Sequence, residues 1–243
     1  MDYKNKTAIV TGGTGALGRV IVNRFAETGM NIYVPALSVE NFKGIFDNSL
    51  NDENSGFKLR KIYGLKCDAG NEEDVAGFVS DVIKREGKID FLINTIGGYH
   101  PKKTIVEMET GLIQKMMNLN FYSTFFFCKH SLKNMIKNSF GRIIAIGAMP
   151  AVELSAGRLA YAISKMSVIS LIQTIALENK DDNITANTII PGVIDTPANR
   201  ESMPKAEFDR WVKPEDIAET ILNLISESSR SFRGNIIKMY GKL

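Results

Sequence analysis

Gly13-Thr14-Gly15-Ala16-Leu17-Gly18 is the stretch of this sequence that decides the fold, because of what stands on either side of it. The compact apolar run Thr7-Ala8-Ile9-Val10 precedes the glycines, and a helical pattern from Val20 to Glu27 follows them. The G-x-G-x-x-G spacing between a strand and a helix lets the backbone approach a pyrophosphate, which the helix N-terminus then binds. This context predicts a dinucleotide-binding βαβ unit. The alternative is a glycine-rich turn that binds no ligand.

Beyond this unit, short apolar runs alternate with longer helical patterns along the chain. Further strands are predicted at Asn31–Val34, Phe57–Leu65, Ile89–Thr95, Arg142–Ile146, Ile184–Ile190 and Asn235–Tyr240, and long helices at Gly111–Asn138 and Arg158–Asn179. Such alternation predicts a parallel sheet, and right-handed crossovers place helices on both of its faces. We therefore expect an α/β fold, a single Rossmann-type doubly wound domain over residues 1–243.

Composition and charge argue against several functional classes. The net charge is +3, and the basic residues are scattered among acids, unlike the clustered basic footprint of a nucleic-acid binder. No apolar run reaches the 18 residues of a membrane span, and no signal segment opens the chain. Cys67 and Cys128 form no metal-ligand pair and suit a reducing compartment, so we interpret them as small core residues. We expect a cytoplasmic protein with no nucleic-acid partner, no membrane contact and no metal.

Further motifs give the chain its resemblance to the short-chain dehydrogenase/reductase family, and the resemblance covers essentially the whole sequence. The matching positions are Thr11, Gly12 and Gly18 of the glycine motif, Asp68 after the third strand, Asn94 and Gly97 after the fourth, Asn120 in the long helix (with Asn118 as a rival), Tyr161 and Lys165 of Tyr-x-x-x-Lys, and Pro191-Gly192 with Thr196 after the sixth strand. The family's middle glycine falls on Ala16 here. The order and spacing of these motifs together carry the resemblance.

The resemblance implies an NAD(P)-dependent oxidoreductase in which Tyr161 gives or takes the proton of a carbonyl or alcohol oxygen. Lys165, one helical turn further on, would lower the pKa of Tyr161 from its usual value of about 10, and Asn120 would hold a water near Lys165. A small-molecule substrate and a homodimer or homotetramer are implied as well. The implied cofactor-binding residues are Gly12, Thr14, Gly15, Ala16, Leu17, Gly18, Leu37, Asp68, Asn94, Gly97, Tyr161, Lys165, Pro191, Gly192, Ile194 and Thr196.

Leu37 departs from the dinucleotide-binding fingerprint. It stands nineteen residues after Gly18, where an acid would bind the ribose hydroxyls. Neither an acid nor an arginine occupies the position, and the nearest acid is Glu40. The choice between NAD and NADP therefore stays open. The missing carboxylate removes one obstacle to NADP, which favours NADP slightly.

Ala148 departs from the family pattern at the substrate site. It stands thirteen residues before Tyr161, where the family has a catalytic Ser whose hydroxyl holds the substrate carbonyl. Loss of one preorganised donor of this kind costs roughly 2.7–4 kcal/mol of transition-state stabilisation. Tyr99 and His100, in the loop after the fourth strand, are candidate replacement donors, as is Ser155. The other interpretation of His100 is a solvated loop residue.

Three further hypotheses follow from these departures. Ala148, together with the Gly-Ala-Leu-Gly turn at residues 15–18, is similar to quinonoid dihydropteridine reductase, which favours a conjugated, pterin- or quinone-like ring as substrate. Asn199 and Arg200, in the lid that the resemblance implies, either face an anionic group or belong to an exposed capping segment. The alternative to an enzyme is a catalytically impaired protein that binds a dinucleotide as a sensor or scaffold.

Overall fold

The computed structural model describes residues 3–50 and 61–242 and shows a parallel sheet covered by helices. The strands are β1 (Thr7–Thr11), β2 (Asn31–Ala36), β3 (Ile62–Lys66), β4 (Phe91–Asn94), β5 (Gly141–Ile146), β6 (Ile184–Pro191) and β7 (Ile236–Met239). The helices are α1 (Ala16–Ala26), α2 (Val39–Leu50), α3 (Glu72–Glu86), α4 (Thr110–Met116), α5 (Ser123–Lys137), α6 (Leu159–Glu178), α7 (Pro197–Ser202) and α8 (Pro214–Leu224). A π-helical segment, Met117–Tyr122, joins α4 to α5 without a break.

The order of the strands confirms the predicted doubly wound α/β fold. The seven strands lie in the order β3-β2-β1-β4-β5-β6-β7, and every neighbouring pair is parallel. The chain winds outward from β1 in one direction and from β4 in the other. The strand order therefore reverses between β1 and β4, and ligands of such sheets bind outside the carboxyl ends of the strands at this point.

Alternate residues of each strand feed two separate cores, one on each face of the sheet. Ala8 and Val10 of β1 pack with residues of α1, α2 and α8 on one face. Ile9 faces the other way and packs with residues of α3, α5 and α6. Both faces of every central strand are buried, which explains the continuous apolar runs in the sequence. Cys67 and Cys128 are buried and free, which confirms their interpretation as small core residues.

Three elements differ from the sequence predictions. Helix α2 was not predicted, although Ser38 accepts a hydrogen bond from the Asn41 N–H at its start and Phe42 packs on the core. The long helix predicted from residue 111 to residue 138 contains the π-helical segment, which a period of 3.6 residues does not indicate. Residues 57–60 of the predicted third strand lie outside the described residues, and β3 begins at Ile62.

Helix α6 is long and apolar enough to cross a membrane when only its length and composition are considered. Its most apolar stretch of 18 residues has a mean hydropathy of 1.4, and half of that stretch is buried inside the fold. Val168 and Ile172 pack into the core with α3 and α5, while Tyr161 and Lys165 lie at its N-terminal end. Packing against the sheet accounts for this composition, since a helix in the core of a soluble protein has the same length and hydropathy.

Candidate functional site

The glycine-rich loop after β1 is packed so closely that side chains are excluded at several positions. Gly12 has a φ of +66°, and a Cβ there would lie 2.7 Å from Thr95 Oγ1 on the loop after β4. A Cβ on Gly18 would overlap the carbonyl oxygen of Gly12. Gly13 is equally constrained, because its Cβ would lie 2.8 Å from the Val34 side chain. The two loops at the strand-order reversal are thus held together by contacts that only glycine permits.

Helix α1 begins in this loop with its first N–H groups available to a ligand. Gly15 is the N-cap residue and offers no side chain, and no side chain in the described parts of the sequence caps the helix in its place. The Gly15 N–H itself bonds to the Gly12 carbonyl, which fixes the turn. Uncapped N–H groups and the positive end of the helix dipole favour a diphosphate. The residues present therefore fit a dinucleotide at this loop.

A cavity of about 820 Å³ lies on one side of the loop, at the carboxyl ends of β1, β2 and β3. Gly12, Thr14, Leu37 and Asp68 line it, and Leu37 is 73% exposed. The Asp68 carboxylate is fixed by a hydrogen bond from the Gly70 N–H. The size and the predicted residues suit the adenosine half of a dinucleotide.

A second cavity, of about 660 Å³, lies on the other side, at the ends of β4, β5 and β6. The structure brings together in its lining most of the residues that the sequence placed near the reacting atoms. They are Leu17, Gly97, Tyr99, Ala148, Tyr161, Lys165, Pro191, Gly192 and Ile194. Ala148 is buried two residues after the end of β5, and its methyl group offers no hydroxyl at this position. The glycine-rich loop from Gly12 to Gly18 lies between the two cavities.

Burial shifts the pKa values of Lys165 and Tyr161 in opposite directions, because it disfavours the charged form of each side chain. The Lys165 ammonium donates to the Ile146 carbonyl at 2.8 Å, and burial lowers its pKa to about 8. Burial raises the pKa of Tyr161 to about 12, and the nearby charge of Arg158 opposes this to a smaller extent. Burial therefore dominates the pKa of Tyr161, and Arg158 is the charged group that lowers it.

Asn120 and its rival Asn118 lie in different places: Asn118 lines the first cavity, whereas Asn120 contacts the loop after β4 and α6 next to Lys165. Asn120 is fully buried in the π-helical segment, whereas Asn118 is exposed. The Asn120 side chain accepts from the Gly98 N–H at 3.0 Å and donates to the Gly98 carbonyl at 3.1 Å and to Ser164 Oγ at 3.0 Å. It therefore ties the loop after β4 to α6. A Cβ on Gly97 would lie 2.8 Å from both Asn120 Oδ1 and Lys165 Nζ, so this loop, too, requires glycine.

Lys165 should give the stability of the chain a pH dependence of known sign. Its pKa of about 8 lies below the ordinary 10.5, so between these values the unfolded chain binds more protons than the folded chain. The free energy of unfolding should rise with pH in this window, by at most about 1.4 kcal/mol per pH unit. Lys165→Met should remove that rise. Urea unfolding of the two proteins across this window checks it, and parallel pH curves would contradict it.

Several predicted residues lie outside the second cavity. Thr196 and Ala16 line a third, smaller cavity of about 490 Å³, and Thr196 Oγ1 accepts from the Asn199 N–H at the start of α7. Asn94 is buried, with its amide 3.6 Å from the Cys128 sulfur. His100 does not line the cavity, yet it is only 6% exposed, so the interpretation as a solvated loop residue is wrong. Its Nδ1–H donates to the Pro101 carbonyl.

Arg158 is the lining residue that the sequence analysis missed. It lies three residues before Tyr161 and lines the same cavity, together with Met149 and Met203. The spacing alone, one turn of helix from the predicted Tyr161, was an available signal. Arg200, which the sequence suggested for an anion, is instead held by the Asp195 carboxylate at 2.6 and 2.8 Å.

The described residues include no group of three or more His, Cys, Asp or Glu that would hold a metal ion.

Comparisons with known proteins agree with this geometry. The 7alpha-hydroxysteroid dehydrogenase of Paraclostridium sordellii is 28% identical over 250 residues, which cover 98% of this chain and 91% of that protein. The 3-oxoacyl-[acyl-carrier-protein] reductase FabG of Buchnera aphidicola subsp. Baizongia pistaciae is 29% identical over 249 residues, covering 99% of this chain and 98% of its own length. Both similarities run through the loop, both cavities and α6.

The solved structures and a family model extend the agreement to the whole fold. The crystal structure of gox2181 matches with a TM-score of 0.89 at 25% identity, covering 98% of this chain and 95% of that one. A short-chain type dehydrogenase/reductase from Mycobacterium ulcerans shares the fold with a TM-score of 0.91 at 22% identity, over 100% and 90% of the two chains. The model of the short chain dehydrogenase family matches residues 6–207. The chain belongs to the short chain dehydrogenase family and is an NAD(P)-dependent oxidoreductase.

Proposed function

We propose that this oxidoreductase interconverts a small carbonyl compound and its alcohol, or reduces a conjugated ring, with Tyr161, Lys165 and Asn120 as its catalytic residues. One observation carries the proposal. Tyr161 and Lys165 line a single cavity that adjoins the glycine-rich loop at the strand-order reversal. Ligands of doubly wound sheets bind at this place, so the acid–base pair stands where a bound nicotinamide would meet a substrate.

The cofactor would lie across both cavities. Bound there, the dinucleotide supplies or accepts the hydride. The backbone from Gly12 to Gly18 and the N-terminus of α1 would bind its diphosphate. Leu37 and Asp68 would border the adenosine. Asn94 and Gly97, after β4, would lie next to a ribose of the dinucleotide. Pro191, Gly192, Ile194 and Thr196 would border the nicotinamide end. The cavity linings support these assignments together with the family pattern, except those of Asn94 and Thr196, which rest on the family pattern alone.

Tyr161 would move the proton of the reacting oxygen. In the reductive direction a hydride reaches the carbonyl carbon, the Tyr161 hydroxyl gives its proton to the oxygen, and solvent replaces that proton. The protonated Lys165 would stabilise the tyrosinate that forms, since opposite charges in a dry site attract strongly. Asn120 would hold the loop after β4 against α6 and keep Lys165 in place, as its bonds to Gly98 and Ser164 suggest.

Ala148 limits the class of substrate that this enzyme can reduce. We propose that this chain lacks the family's catalytic Ser and that its substrate needs less polarisation of the reacting oxygen than a simple ketone. A conjugated, pterin- or quinone-like ring, the chemistry suggested by the local similarity to quinonoid dihydropteridine reductase, accepts hydride readily. A substrate screen that found activity on simple ketones alone would exclude the conjugated ring. Tyr99 lines the same cavity and is the candidate for a replacement hydroxyl donor, whereas His100 and Ser155 do not line it.

We further propose a homodimer or homotetramer in the cytoplasm, with a small-molecule substrate and without nucleic-acid or membrane partners. Stacked aromatic side chains on the π-helical segment and α5 support the assembly. Phe121 and Phe125 stack with ring centroids 5.9 Å apart, and Tyr122 beside them is 38% exposed. Sedimentation of the purified protein gives its oligomeric state, and a monomer would contradict this part of the proposal.

Titration of the purified protein with NADH and NADPH, by fluorescence or calorimetry, is the experiment that tests the proposed function. We expect both to bind at the glycine-rich loop, with NADPH preferred slightly because no carboxylate opposes its 2′-phosphate. Binding of neither nucleotide would contradict the assignment of the two cavities. The measurement needs no substrate. It therefore distinguishes a protein without a cofactor site from one whose substrate has not yet been identified.

Leu37→Asp should shift the cofactor preference towards NADH. A carboxylate beside the adenosine ribose would repel a 2′-phosphate and accept hydrogen bonds from the ribose hydroxyls of NADH. We expect the ratio of NADPH to NADH affinity to fall by roughly 10- to 100-fold, since hydrogen bonds to charged groups contribute about 1.5–3 kcal/mol. Leu37→Asn is the control, because it has the same shape without the charge. An equal ratio in all three proteins would place the ribose elsewhere.

A further inference from the structure

Arg158 stands at the edge of the cavity that holds Tyr161 and Lys165. It is the N-cap residue of α6, and its side chain is partly buried. One guanidinium nitrogen, Nη1, donates to the His100 carbonyl, and the guanidinium carbon lies 5.6 Å from the centre of the Tyr99 ring. These two contacts hold the charged group over the cavity from the loop after β4. They leave the Nε and Nη2 hydrogens without a hydrogen-bond partner among the described residues.

The charge of Arg158 is not neutralised within the site. In residues 3–50 and 61–242 no carboxylate lies within 4 Å of it, and none of the residues that line the cavity is acidic. The contrast with Arg200 is direct, because Arg200 forms a two-point ion pair with Asp195. An Arg that is partly buried, held in place and unpaired is suited to an anionic ligand, since its planar fork matches a carboxylate.

The rest of the cavity is mainly apolar. Met149, Pro150, Val193 and Met203 form its walls between Arg158 and the ends of the strands. Such a lining fits a substrate with an apolar body and one charged group. A single cation beyond Lys165 balances one negative charge, which fits a carboxylate better than a doubly charged phosphate.

We infer that the substrate carries a carboxylate, which Arg158 binds while Tyr161 acts on the reacting oxygen, so that the enzyme works on oxo or hydroxy acids or on a ring acid. This inference rests on the proposed function and adds the substrate class to it. The positive charge of Arg158 serves a second purpose in the same site. Burial raises the pKa of Tyr161, and Arg158 partly counteracts that rise.

The test uses substrates matched in all but their charge. Acetoacetate and 4-phenyl-2-oxobutanoate are compared with their methyl and ethyl esters, and acetonyl phosphate serves as the doubly charged probe. Binding of each probe to the protein loaded with NAD(P)H is measured by calorimetry, and turnover is measured by loss of NAD(P)H absorbance. Each measurement is made on the wild type, Arg158→Gln, Arg158→Lys and Arg230→Gln. Arg230 is exposed at the end of the short turn Glu227–Ser229, lines none of the three cavities and serves as the matched control.

We expect the wild type to bind at least one acid more tightly than its ester. Arg158→Gln should weaken that acid roughly 10- to 100-fold and leave the ester unchanged, since a charge-assisted hydrogen bond contributes about 1.5–3 kcal/mol. Arg158→Lys should restore part of the loss, and Arg230→Gln should match the wild type. Esters bound as well as acids, no acid bound at all, a stronger effect on the phosphate, or an acid preference that survives Arg158→Gln would each overturn the inference.

Binding and turnover separate this inference from the proposed function. Acids that bind through Arg158 but are never reduced would support the carboxylate site and contradict reduction of simple oxo acids, which would leave a ring acid as the substrate class. Reduction of the esters alone, at rates that Arg158→Gln does not change, would support the chemistry and remove the carboxylate from the substrate.

Discussion

Tyr161→Phe is expected to lower kcat by roughly 10²–10⁴-fold, the usual contribution of a positioned general acid or base. The substitution removes only the hydroxyl, and the ring still fills its place in the cavity wall. Affinities for NADH and NADPH should therefore change by less than about threefold, because the glycine-rich loop and α1 are untouched. Steady-state kinetics on any substrate found, with nucleotide titration of the same preparation, measures both effects.

Tyr63→Phe is the matched control for that experiment. Tyr63 lies on β3 at the edge of the sheet and stacks on Tyr33, with ring centroids 4.9 Å apart, and it lines neither cavity. It should retain wild-type turnover. Unchanged turnover in Tyr161→Phe would remove Tyr161 from the mechanism. It would then point either to a contaminating activity or to the protein being a dinucleotide-binding sensor or scaffold.

Gly18→Ala should weaken dinucleotide binding by roughly 100-fold, the effect of misplacing binding groups by about 1 Å. A Cβ at this position would overlap the Gly12 carbonyl oxygen and crowd the Gly13 Cα, so the loop has to move away from α1. Crowding in a packed region also costs about 1–3 kcal/mol of stability. Calorimetric titration with NADPH and thermal unfolding check the two effects separately.

Gly77→Ala makes the same chemical change where there is room for it. Gly77 lies within α3, and a Cβ there meets nothing within 4 Å. Ala in a helix interior is favoured over Gly by roughly 0.5–1 kcal/mol, so this variant should be slightly more stable and bind NADPH normally. If Gly18→Ala bound NADPH as tightly as Gly77→Ala does, the loop would not be the diphosphate site.

Much of the fold could be predicted because local pattern and tertiary packing agree along most of the chain. The apolar strands are buried on both faces, and Asn71, a residue type favoured at helix N-caps, caps α3 by accepting from the Glu73 and Asp74 N–H groups. The motif residues Tyr161 and Lys165 reached one cavity because their spacing puts them one helical turn apart. Residues at a fixed spacing within one helix lie on the same face of it, so the sequence alone predicts that they are neighbours.

The features that were missed depend on contacts between distant parts of the chain. The role of Arg158 follows from the lack of a carboxylate around it, which no local pattern expresses. The pKa values of Tyr161 and Lys165 are set by burial, which depends on the strands and loops packed against α6. Helix α2 is the exception among the missed features, because Phe42 and Phe46 stand at helical spacing and local pattern could have predicted it.

The π-helical segment makes the length of the chain between residues 117 and 122 matter more than its composition. Each residue of an α-helix turns the chain by about 100°, so one residue added or lost there would rotate everything before it relative to α5. Asn120 would then leave Gly98, and the stacked rings of Phe121 and Phe125 would face a different direction. Substitutions in this segment should therefore be tolerated far better than insertions or deletions, since the spacing itself couples the interior of the molecule to its outer surface.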